Sequence, residues 1–120
     1  MTKEQRFFLD LVSALPNGTH WSFQSYDPKV YEVLSGVPLV TEPATIGMDF
    51  KEAYRQPVAD LVNGDLFESI NFLEVSLDDV KLLEAFDGFV IVTVSKTFPL
   101  AGTNLTQYLD QDWLYVSDNW

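Results

Sequence analysis

His20 is the only histidine in this sequence, and there is no cysteine. A lone imidazole cannot make a two-histidine metal site, and it has no thiol to activate as a Cys–His pair. A Ser–His–Asp triad could draw on many serines, but none stands in a G-x-S-x-G elbow. Ser35 stands in Leu34-Ser35-Gly36, without the preceding glycine. Next to Trp21, His20 reads as a half-buried polar residue.

The carboxylates offer little more. Asp110-Gln111-Asp112 has the D-x-D spacing that chelates divalent ions in some transferases. A calcium loop is excluded, because Leu114 and Tyr115 stand where an oxygen ligand and a glycine are required. The segment reads as a solvated turn before a strand. Asp78, Asp79, Glu84 and Asp87 fall along one expected helix, where Asp78 and Asp79 would complement the helix dipole in the first turn. Paired carboxylates also hydrolyse glycosides, but only inside a cleft. There is no glycine-rich phosphate loop, and Arg6 and Arg55 are the only arginines. The expectation is therefore no catalytic residue, no metal and no cofactor.

The elements that would position these residues follow from periodicity. Thr2 with Gln5 forms a capping box, and Phe8, Leu11, Val12 and Leu15 share one helical face that ends at Pro16-Asn17-Gly18. His20–Tyr26 alternates its aromatic residues as a short strand or loop. Asp27-Pro28 starts a short helix closed by Gly36. Residues 37–48 read as a loop with one edge strand, because Pro38 and Pro43 interrupt it. A helix is expected over about 50–62, opened by Asp49 with Glu52 and kinked or divided by Pro57. Residues 66–77 fit helix or strand. Val80, Leu83 and Phe86 predict another helix after Ser76. The β-branched run 89–95 predicts a central strand, and 112–117 a last one. The expected fold class is α+β: one domain over residues 1–120, with three to four helices packed on a small, mainly antiparallel sheet.

Of 120 residues, 47% are hydrophobic and 14% aromatic, enough to build a core and to argue against intrinsic disorder. The longest strongly apolar run, Phe89–Val92, is far too short to span a membrane. The N-terminus has no apolar signal core, and a cysteine-free chain suits a reducing compartment, so a cytoplasmic location is expected.

Eighteen acidic residues face seven basic ones, a net charge of −11. The imbalance is concentrated: residues 56–120 hold eleven acids against Lys81 and Lys96 alone, a net of −9. Such a field repels nucleic acid and anionic membranes and attracts basic proteins. Trp21, Phe23, Tyr26 and Tyr31 cluster near one end and Trp113, Tyr115 and Trp120 near the other, and Tyr and Trp dominate binding hot spots.

The expected function is therefore a small acidic protein-binding domain without catalysis that engages a basic protein. Its surface would be Asp78, Asp79, Asp87, Asp110, Asp112 and Asp118, with Trp113, Tyr115 and Trp120 as anchors. Inhibitors of nucleases, immunity proteins and nucleic-acid mimics share this logic of charge and size. Two alternatives use the same residues differently. One is a structural or assembly subunit of a homo-oligomer or phage particle. The other is a small-molecule-binding domain or enzyme with an aromatic pocket around Trp21 and Tyr26.

Overall fold

The computed structural model describes residues 1–63, 65–95, 107–108 and 111–117. The first helix, α1 (Lys3–Ala14), is as its sequence predicts. Thr2 and Gln5 close a reciprocal capping box, and Phe7, Phe8, Leu11 and Val12 are buried. Two further helices are short: α2 (Lys29–Val33) and α3 (Arg55–Ala59). The amide of Lys29 donates to Asp27 at 3.0 Å, so the Asp-Pro start works as a cap. Pro57 lies in the first turn of α3, where its missing N–H costs nothing. The expected longer helix is split accordingly, with 3-10 turns at Glu52–Tyr54 and Asp60–Val62. Asp49 does not cap this segment; it bonds His20 instead.

The rest of the fold is strand: β1 (His20–Ser25), β2 (Val40–Glu42), β3 (Thr45–Asp49), β4 (Ile70–Leu77), β5 (Val80–Phe86), β6 (Ile91–Ser95) and β7 (Leu114–Ser117). They form one seven-stranded sheet in the order β2-β3-β1-β4-β5-β6-β7. Every pairing is antiparallel except β6–β7, which is parallel. The expectation of three to four helices on a small sheet is thus overturned. The sheet dominates, it is mixed, and among the described residues only α1 is a helix of any length.

The main cause is the segment read as a helix after Ser76. It is the second half of a hairpin whose two-residue turn, Asp78-Asp79, has both residues in the left-handed region (φ 51° and 65°). That is the primed turn that matches strand twist, usually made by Asn-Gly. Residues without glycine's freedom are strained there. Asp79→Gly is expected to raise stability by about 0.5–1 kcal/mol, read as a higher urea midpoint with an unchanged slope. Likewise Pro43-Ala44 joins β2 to β3, with Ala44 at φ 64°, so the expected loop over 37–48 is largely a hairpin.

The sheet's inner face carries Trp21, Phe23, Leu73, Val75, Leu83, Ala85, Val92 and Val94, all buried against the helices in one continuous core. Edge-to-face aromatic pairs seat α1: Phe8 lies 6.3 Å from Trp21, 5.4 Å from Phe67 and 5.5 Å from Phe89. Phe89 is 1% exposed yet sits at φ 69°. A bulky residue holds that conformation only where packing over-determines it.

Candidate functional site: the open face of the sheet

The helices cover one face of the sheet; no described element covers the other. Strand register brings residues far apart in sequence into rows on this open face. One row crosses all seven strands: Val40, Gly47, Ser22, Glu74, Glu84, Thr93 and Tyr115. The neighbouring row runs through Gln24, Phe72, Phe86 and Ile91. The Phe72 and Phe86 rings lie 5.5 Å apart. Phe86, Ile91 and Tyr115 are 40%, 49% and 54% exposed, so β4–β7 carry an apolar stripe in contact with water.

Acids flank that stripe. Glu74 and Glu84 are directly opposite each other, a like-charge pair that is destabilising unless neutralised. Lys81 bridges the pair and offsets one of its two charges, with Nζ 3.0 Å from Glu74 and 2.9 Å from Glu84. The hydrogen bond to Glu84, opposed by burial and joined by Glu74, holds the Lys81 ammonium above its ordinary range.

At the other end of the face, His20 lies between two carboxylates. Nδ1 is 2.9 Å from Asp49 Oδ1, and Nε2 is 2.9 Å from Glu42 Oε2. The bond to Asp49, opposed by burial and reinforced by Glu42, raises the pKa of His20 above its ordinary value. Burial pulls Glu42 upward, but bonds from His20, Ser22 and Thr45 outweigh it and leave its pKa lowered. Ser22 Oγ donates to Glu42 Oε1 at 2.9 Å, so the hydroxyl is turned to the carboxylate and away from the imidazole. With both ring nitrogens facing carboxylates, the arrangement favours the doubly protonated imidazolium, which has no lone pair to offer. Among the described residues no group of three or more histidines and acids is placed to hold a metal ion, nor is any helix long and apolar enough to cross a membrane.

The residues expected to form the partner surface are dispersed. Asp78 and Asp79 sit on the β4–β5 turn, and Asp87 on the β5–β6 turn at the opposite end of β5. A helix would have put them together; the hairpin separates them. Asp87 and Asp112 belong to the same end, since the Val92 amide bonds the Trp113 carbonyl at 3.0 Å. Tyr115 is exposed on the open face. Trp113 is not an anchor: it is 6% exposed and packs against Phe7 at 5.4 Å and Tyr108 at 5.9 Å. Asp110, Asp118 and Trp120 lie outside the described residues.

The aromatic pocket expected around Trp21 and Tyr26 is not formed. Trp21 stacks on Phe50 at 5.1 Å inside the core, while Tyr26 is 72% exposed. The apolar cavity beside Trp21 measures about 20 Å³, space for one water at most. The sequence reading missed Phe72, Glu74, Phe86 and Ile91. Their signal was the alternation of Phe72 and Glu74 with Leu73 and Val75, which puts two kinds of surface on opposite sides of one strand.

No protein-family model matches the chain, and neither does any curated protein or solved structure.

Proposed function

We propose that this chain is a small acidic protein-binding domain that docks a basic protein through the open face of its sheet, in the cytoplasm. The observation that carries this reading is the stripe of Phe72, Phe86, Ile91 and Tyr115 beside Glu74 and Glu84, with Asp87 and Asp112 at its end. Apolar side chains supply affinity once water leaves them, and the surrounding acids steer a cationic surface in and orient it. A net charge of −11 opposes a second copy on the same face, which favours a basic partner over self-association.

The test is capture of partners on the immobilised protein, followed by affinity measurement with Tyr115→Ala and Ile91→Ala. A basic partner should bind at low salt and weaken as salt rises, and each substitution should cost about 1–2 kcal/mol of binding, or five- to thirtyfold. A partner indifferent to both substitutions, or light scattering that shows a dimer and no other ligand, overturns the reading.

A further inference from the structure

The His20 cluster lies at the other end of the open face from the apolar stripe, and its geometry points to a separate device. Strand β2 contributes no buried residue; its three positions are exposed or half-exposed. It pairs only with β3, over three residues. Segments with so little burial open at low free energy. Met48 of β3 is buried in the core beside Trp21, but β2 has no such anchor, and what ties it to β1 is one polar cluster. Glu42 of β2 reaches across β3 to Ser22 and His20 of β1, and Asp49 of β3 meets the other side of the same imidazole.

The reach of Glu42 depends on Gly47. A Cβ at that position would lie 2.6 Å from the Glu42 carboxyl carbon, so the side chain crosses β3 only because β3 has no side chain there.

We propose that His20 is a proton-operated latch on the β2–β3 hairpin. The doubly protonated ring holds the carboxylates of both hairpin strands; a ring that has lost one proton can hold only one of them. The neutral ring donates from a single nitrogen and turns a lone pair toward the other carboxylate. Two like charges then flank an uncharged ring, and the short outer strand loosens. The other groups facing the cluster are Lys51 and Tyr54, which share a hollow with His20 and Asp49, and Thr45, which donates to Glu42 at 3.3 Å. Lys81 is held by Glu74 and Glu84. Of these, Lys51 is the cation that lines the hollow.

The direction in pH follows from linkage. A group whose pKa is raised on folding stabilises fully below its unfolded value, about 6.5 for histidine, and loses that contribution as pH rises through the folded value. Glu42, lowered on folding, loses its contribution as pH falls through its own folded value. The latch is therefore closed in the window between the two.

Because His20 is the only histidine, its ring protons report its titration by NMR without ambiguity. The expected midpoint lies above 6.5 in the intact protein. Gly47→Ala should displace Glu42 and lower that midpoint, although it does not touch His20. Hydrogen-exchange protection of β2 and β3, corrected for intrinsic rates, should fall roughly three- to tenfold as pH passes the midpoint, with α1 unchanged. His20→Gln, checked for native folding by circular dichroism, should abolish that pH dependence. A midpoint at or below 6.5, a midpoint indifferent to Gly47→Ala, or protection of β2 and β3 that does not respond to pH overturns the proposal. None of these outcomes depends on a binding partner.

Discussion

Trp113→Ala is expected to cost about 3–5 kcal/mol of folding stability, as large aromatic deletions in cores do. That is a large share of the roughly 5–15 kcal/mol that holds a domain together. The indole is packed edge-on to Phe7 and Tyr108, and the Lys3 ammonium lies 5.8 Å from its ring centre. It also fixes the start of β7, whose pairing to β6 begins at Leu114. Trp113→Phe should be far milder, under about 1.5 kcal/mol. The buried indole N–H has no hydrogen-bond partner among the described residues, so replacing it removes an unsatisfied group along with some packing. Urea unfolding of both variants decides the matter. A Trp113→Ala protein within about 1 kcal/mol of the parent would mean that the residue is a surface anchor after all.

Arg55 is expected to carry the next largest effect, about 2–3 kcal/mol on replacement by Met. Its guanidinium donates to the carbonyls of Val12 and Leu15, at the end of α1 where the helix leaves carbonyls unpaired and its dipole favours a cation. The same group bonds Glu52 and lies 5.0 Å from the centre of the Phe50 ring. One planar fork thus joins α1, α3 and the core. Arg55→Lys should recover less than half of the loss, because an ammonium cannot serve those carbonyls and the ring together. Thermal melts of the three proteins would show the order parent, Lys, Met; a Lys variant equal to the parent would leave only the charge as important.

The parts of the fold legible in the sequence are those specified locally. Thr2, Gln5 and the spacing of Phe8, Leu11 and Leu15 define α1 whatever surrounds it. Residues 76–86 misled because Val80, Leu83 and Phe86 are spaced three apart and mimic a helical face. In the structure Val80 and Phe86 are exposed and Leu83 is buried, which no single helical face would allow. The turn that makes this a hairpin uses Asp-Asp in place of Asn-Gly, so its signal was hidden. The candidate surface was illegible for a different reason. Glu74 and Glu84 are ten positions apart, and Ile91 and Tyr115 more than twenty; only strand register makes them neighbours. Of the two expected anchors among the described residues, Trp113 is buried and Tyr115 exposed.

The parallel pairing of β6 with β7 has a consequence for the order in which the chain emerges during synthesis. Strands β3, β4 and β5 each find a pairing partner already made, β2 or β1 for β3, β1 for β4 and β4 for β5. Strand β6 then stands as the sheet's border while residues 96–113 and β7 are still being added, about 1–4 s at ordinary translation rates. Four of its five residues, Ile91, Val92, Thr93 and Val94, are β-branched, and none is charged. A border of that composition invites pairing with any extended chain nearby. The nascent chain therefore passes through a brief sticky interval between the completion of β6 and that of β7, which closes when β7 docks.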